Sequence, residues 1–359
     1  MAKKTRKTPW GLLKSYLTRL FIDGLSGMAL GLFSTLIVGT ILKQLGVYIP
    51  GQFGVMLVNV GAVAQVATGA GIGCGVAVKL NAKPLVIFSA AACGFIGAFA
   101  SKIPEMQTVS LSGAGDPLNA FIAAYVCIDL GGLIAGRTKI DIILTPLIAV
   151  VSGGAVGLLT GAPIAEFNGW LGGLVEYGAA AQPFLTGLIV SVLMGMFLTL
   201  PISSAAIGVI LGLSGIAAGA ATVGCCANMI GFAVISYREN KLGGFLAQGV
   251  GTSMLQMPNI VKHPRIWIPP IVASAVLGPL STMVFKMTNT PAGSGMGTAG
   301  LVGPILSFTD MTSAGEDTTT VLIKIALIYF ILPALISLCI SEGMRKAGWI
   351  NQGDMKLDV

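Results

Sequence analysis

The residues best suited to chemistry are neutral. From Gly243 to Asn259 an otherwise apolar chain gathers Gln248, Thr252, Ser253, Gln256 and Asn259 among glycines and a proline. Amides and hydroxyls offer both donors and acceptors, which suits a hydroxyl-rich or amide-like solute. The competing reading is a loop that packs on its neighbours. A second break, LPISSAA at Leu200 to Ala206, places Ser203 and Ser204 beside Pro201. It reads either as a wall of the same cavity, with Asn228 as a further contributor, or as a tight helical hairpin. Asp129, in AAYVCIDLGG, is the most central acidic residue of any predicted span. An intramembrane carboxylate suggests proton or cation coupling, against a capping or hydrogen-bonded structural role. His263 is the one histidine of the chain. Imidazole titrates near neutrality and suits a phosphoryl acceptor or proton relay, but Lys262 and Arg265 mark an interfacial edge where a polar ring needs no special role.

Several chemistries are not supported. No phosphate-binding Gly-Lys loop, nucleophile elbow or zinc signature is present, and no soluble stretch is long enough for a catalytic domain. The six cysteines, Cys74, Cys93, Cys127, Cys225, Cys226 and Cys339, all fall in apolar segments. They read as small packing residues, so no metal and no cofactor is expected.

The elements that must position these groups are membrane helices. Of the 359 residues 54% are hydrophobic and 10% charged, against roughly a quarter charged in soluble domains. The runs between Lys43 and Lys79 and from Tyr177 to Tyr237 carry no charge. Each exceeds the roughly 20 residues of one span. The net charge of +7 is concentrated in the first residues and in short loops, which points to topology rather than nucleic acid. Lys3, Lys4, Arg6 and Lys7 would hold the N-terminus in the cytoplasm, and no cleavable signal peptide is read there.

The expected fold is an all-α polytopic membrane protein. Residues 1–23 form a basic tail with an interfacial amphipathic helix at 9–22. Five spans follow within 24–161, at 24–45, 54–78, 83–100, 117–136 and 141–161. An amphipathic outer-surface segment, 162–181, carries Glu166, Trp170, Glu176 and Tyr177. The remaining spans within 182–342 fall at 182–200, 203–220, 222–237, 267–287 and 320–341, before a cytoplasmic tail at 343–359. This count gathers Lys79, Lys83, Arg137, Lys139, Arg238, Lys241, Lys262, Arg265, Arg345 and Lys346 on the inner side. Two stretches, near 243–259 and 289–304, are too polar and too rich in glycine and proline to face lipid. They are expected to be re-entrant, because broken backbone at membrane depth is tolerated where it lines a cavity.

The segment FLTGLIVSVLMGMFLTLPISSAAIG resembles a span and break of the membrane-embedded IIC subunits of the bacterial phosphotransferase system, particularly the fructose-type branch. There a Gly-Pro-Val-Asn-Lys-Ala-Ala pattern follows an apolar helix; Pro201, Ala205 and Ala206 match it, while Ser203 and Ser204 replace Asn and Lys. The segments SYRENKLGGFLAQGVGTSMLQMPNI and NTPAGSGMGTAGLVGP are similar to the IIC-like branch of perfringolysin O regulator-type proteins. The resemblance implies a dimeric permease with about ten spans, two re-entrant hairpins and a solute cavity between a scaffold and a mobile transport domain. Gln248-Gly249 stands where sugar-transporting members have Glu-Gly, and a Gln hydrogen-bonds a hydroxyl but cannot accept its proton as a base.

The functional expectation is an alternating-access permease for a sugar or related polar solute in the bacterial cytoplasmic membrane, with both termini inside. Solute contacts are expected from Gln248, Thr252, Ser253, Gln256 and Asn259, with Ser203, Ser204 and Asn228 as second contributors, and Asp129 as the ion-coupling candidate. Implied partners are the bilayer, a second copy, and separate IIA and IIB proteins for any phosphorylation. The alternatives are a membrane sensor that keeps the fold without transport, and an ion-coupled secondary transporter.

Overall fold

A computed structural model describes residues 15–105, 111–179 and 182–357. The basic residues before position 8 and the start of the expected amphipathic helix lie outside them. Helix α1 runs unbroken over Ser15–Tyr48. The expected division between an interfacial helix and a first span is therefore absent within it, because no proline stands between Ser15 and Tyr48 to stop the helix. The expected span at 54–78 is two helices, α2 (Gln52–Val66) and α3 (Thr68–Lys79), bent by 52°. The Thr68 hydroxyl donates to the Gln65 carbonyl at 2.6 Å at that break, a local bond that competes with the helical ladder.

Helices α4 (Pro84–Phe99) and α5 (Pro117–Ile134) follow. Then comes α6, a single helix of 39 residues over Asp141–Ala179. Its first part and the expected outer-surface segment are one element. Pro163 removes one hydrogen bond, and the Ala and Gly residues around it let the helix continue. At 1.5 Å per residue α6 is about 58 Å long, nearly twice the roughly 30 Å hydrocarbon core. Leu171, Val175 and Gly178 on its later turns are buried while Glu166, Trp170, Glu176 and Tyr177 are exposed.

The second half begins with α7 (Pro183–Thr199). The expected spans 203–220 and 222–237 are instead a seven-residue helix α8 (Ser204–Ile210), a turn, and one 21-residue helix α9 (Gly215–Ile235). Gly212 and Gly215 carry the turn at φ of +59° and +58°, a left-handed backbone that favours glycine. Beyond α9 the chain passes through α10 (Tyr237–Leu246), a π-helical turn at Ala247–Gly251, extended Thr252, a 3-10 turn at Ser253–Gln256 and α11 (Met257–Lys262). The last elements are α12 (Pro264–Phe285), the four-residue α13 (Pro291–Ser294), α14 (Val302–Ser313) and α15 (Thr318–Lys346).

Among the described residues six helices are long and apolar enough to cross a membrane, and the α2–α3 pair makes a seventh. Two apolar helices, α4 and α7, are shorter, at 16 and 17 residues. Large apolar side chains cover the outside, among them Val63, Phe88, Ile142 and Leu159. On a molecule in water such a surface would be an aggregation hazard; against lipid it costs nothing.

One buried cluster joins α1, α3, α4, α5 and the start of α6 through Met28, Ile72, Val76, Phe99 and Ala149. A second joins the end of α6 to α7, α8 and α9 through Val175, Val190, Met194 and Ile207. Helix α6 thus belongs to both halves. Helix α9 lies at the centre of the second half and is buried along nearly its whole length. Small residues make that possible: a methyl group on Gly224 would sit 1.8 Å from the Ser191 carbonyl oxygen of α7. Close backbone approach of this kind replaces the hydrophobic driving force that lipid removes.

Candidate functional site

The interrupted stretch around the 200–206 break and the second polar stretch, 289–304, meet each other. Ser204, at the start of α8, donates to the Gly295 carbonyl at 2.7 Å, and the Asn289 amide N–H donates to the Gly215 carbonyl at 3.3 Å. The second stretch turns through Gly297 and Gly300, both at φ +53°, and Leu301 at φ +60°. Leu301, a non-glycine residue held left-handed, is a costly conformation that surrounding structure must impose. Asn289 does part of that work. Its Nδ2 donates to Thr222 Oγ1 at 2.8 Å and to the Gly303 carbonyl at 3.1 Å.

A cavity of about 70 Å³ lies where these stretches face the first half. Leu32, Leu36 and Ile37 of α1 form one wall, residues Leu200 to Ala205 another, and Gly251, Thr252 and Met254 a third. Met296 and Ala299 close it. No described residue that lines it is charged. Its hydroxyls are those of Ser203, Ser204 and Thr252. Ser204 uses its proton on Gly295, and Thr252 accepts the Met254 amide N–H at 3.2 Å. A hydroxyl so engaged retains further hydrogen-bonding capacity.

Of the eight neutral residues singled out in the sequence, Ser203, Ser204 and Thr252 therefore share the cavity wall. The other five stand behind it in two polar clusters. In the first, Gln248 Nε2 donates to Ser236 Oγ at 2.9 Å and to the Gly244 carbonyl at 2.8 Å, and Gln248 Oε1 accepts from Gln256 Nε2 at 2.9 Å. Gln256 Oε1 accepts from Asn259 Nδ2 at 2.9 Å. The remaining amide hydrogens go to the segment that follows α15: Gln256 donates to the Met355 carbonyl at 3.0 Å and Asn259 to the Lys356 carbonyl at 2.9 Å. Every one of these amides is engaged inside the protein.

In the second cluster Asn228 Oδ1 accepts from Trp267 Nε1 at 3.0 Å and from Thr199 Oγ1 at 3.2 Å. Its Nδ2 donates to Ser274 Oγ at 3.1 Å and to the Gly224 carbonyl at 3.2 Å. Ser253 joins through a 2.8 Å hydroxyl contact with Thr199. The cluster ties the Ser253 turn, which adjoins the cavity at Thr252, to α7, α9 and α12.

Asp129 is paired. Its carboxylate accepts from the Arg19 guanidinium and from the Tyr16 hydroxyl, the latter at 3.3 Å. Arg19 also donates to Tyr125 at 3.1 Å and lies 5.2 Å from that ring's centroid. The group fastens α1 to α5. His263 is half-exposed at the end of α11, its Nδ1 3.6 Å from Asp354 Oδ1. Outside the spans, Asp116 precedes Pro117 of the cavity wall, caps α5 by accepting the Asn119 amide N–H at 2.9 Å, and accepts from Asn168 Nδ2 at 2.5 Å. Burial pushes its carboxyl pKa upward against those bonds.

The sequence reading did not single out Thr199, Thr222, Trp267, Ser274 or Asn289. Thr199, Thr222 and Ser274 are isolated polar residues in apolar runs. Asn289 directly before Thr-Pro was the one visible signal, as a residue suited to holding a turn.

Residues 22–357 match the model of the family described as phosphotransferase system, EIIC. The match spans nearly all of the chain, so the protein belongs to that family. In general terms it is an integral membrane protein and a sugar-transport permease of the phosphotransferase system, a class that implies a sugar substrate and allows IIA and IIB partners. Comparison with curated proteins finds no match.

Proposed function

We propose that this chain carries a sugar or related neutral polar solute across the bacterial cytoplasmic membrane by alternating access, through the cavity where its two interrupted stretches meet. The observation that carries this reading is that convergence. Two broken segments, one before α9 and one before α14, touch at Ser204 and Gly295 and line one cavity with Thr252. Broken helices are where transporters place solute sites, because freed backbone groups can serve a ligand instead of a ladder. In this reading the stretches 243–259, which carries Thr252, and 289–304, which carries Met296 and Ala299, act as the two re-entrant hairpins of the permease, and the break at 200–206 supplies a further wall. A wall without charge suits an uncharged solute.

At about 70 Å³ the cavity is far below the roughly 300 Å³ and upward of typical small-molecule sites. In this reading the site is contracted in the described conformation and must widen to admit a solute. Opening requires Leu32, Leu36 and Ile37 of α1 to part from the Thr252 and Met296 walls. Ser203, Ser204 and Thr252 are the solute contacts in this reading, while Gln248, Ser253, Gln256, Asn259 and Asn228 hold the walls and meet solute only when those walls move. A homodimer, cytoplasmic termini and a place near the regulator-type branch complete the proposal. The basic residues Arg238, Lys262, Arg265, Arg345 and Lys346 support that orientation. Phosphorylation would come from separate IIA and IIB proteins.

The test is thermal unfolding of the purified protein against sugars, polyols and sugar phosphates, followed by flux in liposomes. A solute at about 100 times its dissociation constant should stabilise the native state by about 2.7 kcal/mol. Stabilisation by a neutral sugar with matching flux supports the reading. Stabilisation by sugar phosphates alone would refute the neutral-solute assignment, and binding without flux would turn the reading toward a sensor.

A further inference from the structure

The segment that follows α15 folds back onto the protein and is held mainly by its backbone. Met355 presents its amide N–H to Glu239 Oε2 at 2.9 Å and its carbonyl to Asn240 Nδ2 at 2.8 Å. Leu357 donates its amide N–H to Asn240 Oδ1 at 2.8 Å. One carboxamide therefore reads two backbone groups two residues apart, as a neighbouring strand would. Gln256 and Asn259 take the Met355 and Lys356 carbonyls, as described above. The Met355 side chain is fully buried beside Phe232, Ile260 and Met344, and Leu357 packs with Leu255 and Ala29. Asp354 sits 3.6 Å from His263.

The receiving surface is built for this purpose. Lys241, next to Glu239 and Asn240, has φ 53° and ψ −156°, a conformation rarely open to a residue with a Cβ. Glu239 is nearly buried and is fixed by Arg345, whose guanidinium donates to it at 3.0 Å and to the Ile235 carbonyl at 3.2 Å. A strained turn and a buried ion pair aim two side chains at one short stretch of main chain.

We propose that Glu239, Asn240, Gln256 and Asn259 form a peptide-binding groove that takes Asp354–Leu357 of the same chain as a strap, and that the strap locks the stretch from Tyr237 to Lys262 against opening. Recognition is of backbone, with apolar sockets for two residues spaced by one. The locked stretch contains Thr252 of the cavity wall. Release of the strap frees amide hydrogens of Gln256 and Asn259 and loosens that wall. The groove itself does not depend on the permease reading, and its test uses no solute.

The experiment deletes residues 354–359 from the otherwise intact chain and titrates the purified protein with a fluorescent peptide covering residues 350–359. Saturable binding to the deletion variant and not to the intact protein is expected, weakened at least tenfold by Asn240→Ala. Hydrogen exchange over 237–262 should rise at least tenfold on deletion and fall again when the peptide is added, with exchange in α4 unchanged. Should the deletion not fold, Met355→Asp with Leu357→Asp in the full-length chain vacates the groove and gives the same readouts. No binding to a folded, vacated groove overturns the proposal, as does equal binding to intact and vacated protein or exchange over 237–262 that ignores the strap. A protein that passes this test and transports nothing refutes only the permease reading.

Discussion

Ser204 Oγ lies 2.7 Å from the carbonyl oxygen of Gly295, a contact across 91 residues of sequence. It joins the two interrupted stretches at the edge of the cavity, and it requires that position 295 have no side chain. A Cβ there would stand 2.2 Å from the Ser204 carbonyl oxygen.

Gly295→Ala should therefore destabilise the protein by about 1–3 kcal/mol through overpacking against backbone that cannot step aside. Ser204→Ala should cost about 1 kcal/mol, one hydrogen bond without a clash. Thermal unfolding in detergent measures both. If alanine at 295 costs no more than alanine at 204, the two stretches do not meet as described.

Asn228 satisfies Trp267 and Thr199 at once. Its replacement by Ala leaves the half-buried Trp267 indole N–H without its acceptor, while Thr199 can still donate to the Gly195 carbonyl, and the expected loss is about 1–3 kcal/mol. Asn59→Ala, on an exposed face of α2, should change stability by less than about 0.5 kcal/mol. Comparable losses at the two positions would show that Asn228 is not the centre of a buried cluster.

The Arg19–Asp129 pair predicts a non-additive pattern. Asp129→Asn keeps an amide oxygen that can accept from Arg19 but leaves the guanidinium charge uncompensated, and should cost about 1–2 kcal/mol given the partial exposure of both groups. Arg19→Met combined with Asp129→Leu should cost less than Asp129→Asn alone, because no uncompensated charge remains. Solute flux through the Asp129→Asn variant should keep the proton and sodium dependence of the unaltered protein. A changed dependence would return Asp129 to an ion-coupling role.

Asp116 gives a pH test whose sign follows from its surroundings. Burial raises its folded pKa above the ordinary 3.8, so the folded state keeps the proton longer than the unfolded state does. Stability from this group is fully present below the ordinary value and is lost as pH rises through the folded pKa. Asp116→Asn removes the ionisation. Asn168 Oδ1, buried without a partner, can accept from the new amide after a side-chain flip. The stability of the variant relative to the unaltered protein should therefore increase between about pH 4 and about pH 7. A difference that does not vary with pH would show that Asp116 is not desolvated in the fold.

The class of protein was legible without any structure. Charge-free runs longer than a span leave the bilayer as the one solvent in which the chain can fold, since membrane helices satisfy their own backbone. The broken stretches were legible too, because Gly, Pro and Asn clusters act through local dihedral preference. Where a boundary depends on what surrounds it, the sequence misplaced it. The expected boundary between 161 and 162 falls inside the continuous α6, whereas Gly212 and Gly215 form a turn that cuts the expected span 203–220 in two.

For the site, sequence identified the polar vocabulary but not its partners. Gln248, Gln256 and Asn259 have the same chemistry as Ser203, Ser204 and Thr252, and nothing local distinguishes a side chain that faces a cavity from one that holds a wall. That distinction was made by the segment around Met355, some hundred residues further on, whose carbonyls occupy the amides. Sequence by itself determined the solvent, the helices and the places where helices fail, because these follow from composition and dihedral preference. Tertiary structure alone decided which hydrogen-bonding groups are already spent, because a donor's partner is set by packing in space and not by its neighbours along the chain.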